Sequence, residues 1–271
     1  MKTAAILLLG LLSACVPDQA MRPAAPDALR RADAALAEGR LDDAEQDYAR
    51  VLAADETNAA ARIGVAEIAL AQGDVARARD LFTDAASSPG AAPTARQGLG
   101  LALLRQGRAD AAAAELQAAV AADPALWRSW NGLGVFHDGR RDWAAAEAAY
   151  DRASGGVGRS AAVANNKGFS MLRQGRFAEA EALFTDALRL QPDSRTAENN
   201  RRMALAMQGR YAEARAGAAA DRLADVLNDI AVAATARNDL ATARALLVEA
   251  MEASPSYHQT AAGNLARLDG R

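Results

Sequence analysis

Side chains that commonly act in catalysis or metal binding are scarce in this sequence. The 271 residues include two histidines, His137 and His258, and one cysteine, Cys15. Neither histidine has a cysteine or a carboxylate at the spacing of a metal site, so we expect His137 to pack and His258 to be solvated. The glycines on either side of Leu99 neither follow a strand nor lead to a lysine, so no phosphate site is predicted. We therefore expect no enzyme activity, no cofactor, no bound metal and no small-molecule substrate.

Side-chain amides, by contrast, recur at a regular interval, which is 34 residues three times and then 29. The amides of this column are Gln97, Asn131, Asn165, Asn199 and Asn228, and Asn166 and Asn200 add amides at the next position. An amide offers both a donor and an acceptor, so such a row can hydrogen-bond the backbone of an extended peptide. The amides can equally link successive structural units to each other. The sequence leaves both interpretations open.

The same interval organises the whole chain. A corner such as Gly39-Arg40 precedes an apolar residue and then, three residues further on, an alanine. These alanines stand at positions 44, 78, 112, 146, 180, 214 and 243. Large apolar residues follow four positions later in most copies, and small residues precede by twelve, as in Gly100, Gly134 and Gly168. Self-similarity at this period predicts stacked helical hairpins with glycine at the corners.

The segment Trp130-x-x-Leu133-Gly134 resembles the opening of a tetratricopeptide repeat (TPR). The resemblance implies an all-α TPR solenoid, a right-handed superhelix of about seven helix-turn-helix repeats over residues 28–253, with a capping helix and tail at 254–271. It also implies that the amide column faces the concave groove of the superhelix. By the same count Arg105, Phe169, Arg173 and Met203 take groove-facing positions, which makes the groove the predicted site for a protein or peptide partner.

Two copies depart from the pattern. The sixth has Arg202 where a small residue is expected and Ala218 where a large apolar residue is expected. The seventh arrives five residues early, so we expect a shortened helix or corner near residues 217–221. A further cluster, Gly155-Gly156-Val157-Gly158, replaces the corner after the fourth copy. A local bend or flexible joint is expected at one or both places.

The N-terminus has the organisation of an export signal. Met1-Lys2 supplies a positive start, and an apolar run too short to span a bilayer follows it. Leu12-Ser13-Ala14-Cys15 resembles the bacterial lipobox, which implies a signal peptide at 1–14 and lipidation of Cys15. The alternative is an ordinary secretory signal. Prolines in residues 15–27 predict an extended tether.

Membrane attachment through lipidated Cys15 is therefore expected, without a transmembrane helix. By the same resemblance, Val16 is not the aspartate that retains many lipoproteins in the inner membrane. The expected location is the periplasmic face of the outer membrane. The formal net charge of −3, with both signs interspersed, leaves no basic stripe, so nucleic acid is not an expected partner.

Residues 164–177 (ANNKGFSMLRQGRF) and residues 198–211 resemble TadD, the TPR lipoprotein family of the tight-adherence (Tad/Flp) pilus system. Residues 225–231 and 253–257 look like the C-terminus of the same family. The resemblance implies a non-catalytic, pilotin-like scaffold that binds a secretin subunit or another pilus component. The alternative is a general cell-envelope adaptor that serves outer-membrane barrel assembly, cytochrome maturation or peptidoglycan enzymes.

Overall fold

The computed structural model describes residues 25–87, 92–155, 160–254 and 258–270. The predicted signal peptide at 1–14 and the lipidation site Cys15 lie outside these residues. The predicted tether at 15–27 lies mostly outside them as well, but its last three residues belong to the first helix, which begins at Ala25. Pro26 is tolerated there because the first turn of a helix needs no backbone N–H.

Fifteen α-helices occupy the described residues, and they pair into seven hairpins and a capping helix. The helices are α1 Ala25–Ala37, α2 Leu41–Ala54, α3 Ala59–Ala71, α4 Val75–Ala86, α5 Ala92–Arg105, α6 Ala109–Ala122, α7 Trp127–Gly139, α8 Trp143–Ser154, α9 Ala161–Arg173, α10 Phe177–Leu190, α11 Arg195–Met207, α12 Tyr211–Arg215, α13 Leu223–Ala236, α14 Leu240–Ala253 and α15 Gln259–Asp269. A 3₁₀ turn, Ala220–Arg222, precedes α13. The predicted solenoid of seven repeats with a capping helix is confirmed.

The hairpins stack in two layers. Each odd-numbered helix packs against the odd-numbered helix of the next hairpin, from α1 through α15. Within the described ranges, no two even-numbered helices pack closely against each other; each contacts the odd-numbered helices beside it. The more tightly spaced layer of a curved array is the inner one. The odd-numbered helices therefore form the inner layer and its concave surface, and the even-numbered helices form the outer layer.

The corners between paired helices need a left-handed backbone conformation. Glycine supplies it in five hairpins, at Gly39, Gly73, Gly107, Gly175 and Gly209. Arg141 and Asn238 take the same conformation in the fourth and seventh hairpins, with φ of 58° and 63°. Because a side chain at positive φ is strained, these two corners are less favourable than the glycine corners.

Small and large residues interlock between the helices. An added Cβ on Gly134 would lie 2.5 Å from the ring of Tyr150, and one on Gly168 would lie 2.8 Å from the ring of Phe184. Both rings are fully buried. The Tyr150 hydroxyl donates to the buried carboxylate of Asp138 at 2.8 Å. The glycines predicted from the repeat pattern therefore provide the space that these rings occupy.

The sixth hairpin solves the same packing problem differently. Its second helix, α12, has only five residues, which confirms the predicted shortening. Arg202 is 7% exposed, and its guanidinium donates to the carbonyl of Ala214 and to Glu198, both at 2.6 Å. The arginine thus occupies the small-residue position of its repeat, where the fourth and fifth repeats place a glycine against an aromatic ring. It also satisfies a carbonyl at the end of α12, where a helix has no internal donor.

His258 is not merely solvated, so that prediction is wrong. Its Nδ1 atom accepts from the backbone N–H of Ala261 at 3.1 Å and caps the start of α15. Its Nε2 atom lies 3.2 Å from Asp225 Oδ1, which joins the capping helix to α13. His137 is partly buried and packs edge-on against Phe136, as a packing role predicts.

Candidate peptide-binding groove

The amide column lies on the inner layer and joins successive hairpins. Gln97 is buried, and its side-chain oxygen accepts from the backbone N–H and the hydroxyl of Ser129 at 3.1 and 3.3 Å. A buried amide needs such partners because an unsatisfied polar group loses its hydration without compensation. Gln97 therefore connects α5 to α7.

The asparagines of the central hairpins form the same kind of link. Asn131 accepts from the side chain of Asn166 at 3.2 Å, and Asn165 accepts from Asn200 at 2.9 Å. In the part of the chain that the structure describes, the Nδ2 groups of Asn131 and Asn165 donate to no protein atom. The interpretation in which amides link hairpins is therefore seen directly. Peptide binding by the unused donors stays a prediction.

The two C-terminal amides of the column also link elements. Asn228 is buried and accepts from Asn264 of α15 at 2.9 Å. Asn199 accepts from Arg222 of the 3₁₀ turn at 3.0 Å. The capping helix and the irregular turn are thus held to the inner layer by the same side-chain chemistry as the regular repeats.

The two arginines predicted for the groove have intramolecular partners. Arg105 donates to the carbonyl of Leu70 in α3 at 2.5 Å. The guanidinium of Arg173 stacks over the Trp143 ring, 5.2 Å from its centroid. Both contacts cross from one helix to another, so they support the packing of the array.

An apolar row on the inner layer, by contrast, is exposed at three of its four positions. It consists of Val135, Phe169, Met203 and Val232, one residue from each of α7, α9, α11 and α13. Val135, Phe169 and Val232 are 42%, 45% and 47% exposed, and Met203 is half-buried. The row repeats at the interval of 34, 34 and 29 residues, which places all four at the same position of their repeats.

Part of the row opens into a cavity of about 390 Å³ between α9, α11 and α13, here called the C-terminal pocket. Phe169 and Met203 of the row line it, as do Asn199 and Asn200. The structure thus brings four predicted groove residues together. The other predicted groove residues do not line this pocket; they are Gln97, Arg105, Asn131, Asn165, Asn166, Arg173 and Asn228.

Part of this surface was not predicted from the sequence. Val135 and Val232 belong to the apolar row, and the repeat interval that identified Phe169 and Met203 could have found them. Asp229 and Ile230, which complete the wall of the C-terminal pocket on α13, were also missed. Asp229 gave no signal of its own, because single acidic residues occur on most exposed helix faces.

A second cavity, of about 720 Å³, lies at the N-terminal end of the inner layer. Arg128 of α7 reaches across α5 and forms a bidentate pair with Glu67 of α3, at 2.8 and 3.1 Å. This ion pair lies at the border of the N-terminal cavity and connects hairpins that are not neighbours. A chain bound along the whole groove would have to break or bypass it.

The described residues contain no group of three or more histidine, cysteine, aspartate or glutamate side chains that could hold a metal ion. No helix among those described is long and apolar enough to cross a bilayer.

Three segments of the chain match a family described as tetratricopeptide repeat, at residues 35–88, 98–158 and 161–194. Together these segments make up more than half of the chain. No curated protein matches. A tetratricopeptide repeat protein from Parabacteroides merdae is 16% identical, with a TM-score of 0.53 over 91% of this chain and 99% of its own. TTC0263 from Thermus thermophilus is 22% identical, with a TM-score of 0.57 over 70% and 98%. PilF from Pseudomonas aeruginosa is 16% identical, with a TM-score of 0.54 over 90% and 97%. At these identities the likeness concerns the fold alone.

Proposed function

Because the chain belongs to the tetratricopeptide repeat family, whose repeats typically bind proteins, we propose that it is a non-catalytic scaffold. The bound segment of the partner lies in the concave groove, against the apolar row and the C-terminal pocket. The scaffold serves assembly of a Tad/Flp pilus. Its partner is a secretin subunit or another component of the pilus machinery.

The observation that carries the binding role is the apolar row. Single exposed apolar side chains are normal on any protein surface, whereas contiguous ones mark interaction sites. Here Val135, Phe169 and Val232 are each more than two-fifths exposed and recur at one position of the repeat. Neighbouring Asn131 and Asn165 use their side-chain oxygens as acceptors, and their Nδ2 groups donate to no atom of the described residues. Apolar side chains and amide donors together suit a peptide that offers side chains and backbone carbonyls.

The assignment to pilus assembly rests on the resemblance of residues 164–177 and 198–211 to the TadD family. The lipobox-like sequence at Cys15 supports attachment to the outer membrane, facing the periplasm. Tethering two partners to one surface raises their effective concentration, so a groove of modest affinity suffices. A lipid anchor therefore fits a scaffold that meets a membrane protein during assembly.

Site-specific photocrosslinking in cells tests the binding site. A photoreactive phenylalanine analogue at position 169 should capture the secretin or another pilus protein. The same analogue at Leu190 is a matched control, because Leu190 is 41% exposed but lies on the outer layer. Equal capture from both positions would contradict binding in the groove.

Gene deletion tests the cellular role separately. Loss of the protein should reduce secretin multimers and surface pili, and Cys15→Ala should reproduce much of this defect. Normal multimers and normal piliation would remove the pilus assignment. A deletion defect in barrel assembly, cytochrome maturation or cell-wall enzymes would instead identify a general envelope adaptor.

A further inference from the structure

The C-terminal pocket contains one carboxylate that its apolar neighbours do not explain. Asp229 on α13 lines the pocket together with the apolar residues Phe169 and Ile230 and with the guanidinium of Arg202. Its side chain is exposed to solvent at the rim of the pocket, and among the described residues the one hydrogen bond to it comes from the Asn228 amide at 3.5 Å. A distance of 3.5 Å makes this a weak bond.

Intramolecular cations do not neutralise this carboxylate. Among the described residues, no lysine, arginine or histidine nitrogen lies within 4 Å of Asp229. Arg222 is nearby but donates to Asn199, and Arg202 is occupied by Glu198 and Ala214. The histidine of the capping segment lies against a different carboxylate, that of Asp225.

The surroundings of Asp229 also disfavour its charge. Removal of water by the pocket walls raises the pKa of the Asp229 carboxyl above its usual value, and the neighbouring charge of Asp225 acts in the same direction. The charge of Arg222 opposes the increase. A carboxylate in this position is therefore less stable in the free protein than it is in water.

We propose that the C-terminal pocket selects a partner segment that presents a lysine or arginine beside an apolar side chain. The apolar side chain contacts Phe169 and Met203, and the cationic head pairs with Asp229. The inference rests on the proposed function, because it names the chemistry of the segment that the groove binds.

The shape of the pocket suits both parts of such a segment. Lysine and arginine have long aliphatic stems, which pack along apolar walls while the charged head reaches a polar group. Leu172 and Ile230 supply apolar wall, and Asp229 stands where the wall meets solvent. A cation placed there replaces the hydration that the carboxylate has lost. An acidic segment would instead meet repulsion, which excludes the opposite charge pattern.

Selection from a phage-displayed library of random peptides tests the inference with the full-length protein. Wild-type protein should enrich peptides in which lysine or arginine neighbours an apolar residue. Asp229→Asn should enrich apolar peptides without this basic preference. Phe169→Ser should abolish enrichment, because it removes the apolar contact on which the proposed function depends.

One selected peptide then allows a double-mutant cycle by fluorescence anisotropy. Replacing its basic residue with glutamine should weaken binding to wild-type protein about 5- to 20-fold and hardly change binding to Asp229→Asn. Asp186→Asn is the matched control, since it removes the same charge from the outer layer and should behave as wild type. Lower pH should weaken the basic peptide more than its glutamine analogue, as Asp229 becomes protonated.

The outcomes separate the two claims. Apolar enrichment that depends on Phe169 but shows no basic preference would overturn the inference and leave the scaffold intact. Equal loss of affinity in Asp186→Asn and Asp229→Asn would also overturn it, because general charge would then be responsible. No Phe169-dependent enrichment at all would overturn both claims.

Discussion

Two glycines of α7 should respond to the same substitution with opposite signs. An alanine Cβ at Gly134 would lie 2.5 Å from Tyr150, whereas one at Gly139 would meet no atom within 4 Å. Ordinary carbon contacts lie at about 3.5–4.0 Å, so the buried Tyr150 ring must move by roughly 1 Å. That movement overpacks the core, at about 1–3 kcal/mol, and strains the hydrogen bond to Asp138, which contributes about 1.5–3 kcal/mol.

The helical preference of alanine over glycine offsets about 0.5–1 kcal/mol of this cost. Because the packing and hydrogen-bond terms overlap, Gly134→Ala should lower the free energy of unfolding by about 2–4 kcal/mol. Gly139→Ala has no clash and should raise it by about 0.5 kcal/mol.

Urea unfolding followed by far-UV circular dichroism measures both variants. Arrays can unfold in parts, so hydrogen exchange across α7 and α8 should accompany the global measurement. The double variant Gly134→Ala with Tyr150→Leu should be more stable than the sum of its single effects, because the smaller side chain relieves the clash. Stabilisation by Gly134→Ala, equal to that of Gly139→Ala, would refute the interlocking of glycine and ring.

Other substitutions test separate parts of the structure. Arg202→Ala should destabilise the array by about 2–4 kcal/mol, because it opens a space and leaves the carbonyl of Ala214 unpaired. Hydrogen exchange should then be fastest in the sixth hairpin. Unchanged exchange in that hairpin would show that Arg202 does not support its packing. Arg141→Gly should stabilise by up to about 1 kcal/mol, and Asn238→Gly by less, since asparagine tolerates positive φ better; thermal unfolding ranks the two. The hydrogen bond from Arg202 lowers the pKa of the Glu198 carboxyl. The ion pair therefore stabilises the fold fully above the pKa that Glu198 has in the unfolded chain, and this stabilisation is lost as pH falls through the lower pKa of the folded state. Glu198→Gln should reduce the fall in Tm that accompanies acidification. The pKa of Asp229 is raised instead, which means that its charge destabilises the folded protein at neutral pH. Asp229→Asn should therefore raise Tm at neutral pH, and a lower Tm would show that the charge is stabilised in the free protein.

The repeat interval was sufficient to predict the architecture. Each copy supplies one hairpin, and the small and large positions recur because every hairpin must pack against the next in the same way. Even the shortened sixth hairpin was visible, in the early arrival of the alanine at 243 and in Arg202 itself. The start of α1 was harder to place, because proline in a first helical turn resembles proline in a tether.

The candidate site was less accessible to sequence reasoning. The amide column was found, but its pairing depends on which side chains of adjacent helices approach each other, and Asn131 alone does not reveal Asn166 as its partner. The role of His258 depends in the same way on the approach of Asp225 from another helix. These pairings arise only when the helices are stacked. Val232 is a different case, because the repeat interval places it in one row with Phe169 and Met203, although valine as a residue type is more often buried.

The departures from the repeat rule converge on one pocket. Elsewhere in the array, small residues face large buried ones and most ionic groups have partners. At the C-terminal pocket, a buried guanidinium, Arg202, replaces a small residue, and no cation within the described ranges forms an ion pair with Asp229. A small residue packed against a large apolar one avoids the desolvation of a buried guanidinium, so regular repeats use that pair, and proteins keep departures from such rules chiefly at functional sites. Asp229→Asn, which should raise Tm, should therefore impair binding of a basic segment. Arg141→Gly and Asn238→Gly lie at corners that do not line the pocket, so they should stabilise the array and leave binding unchanged.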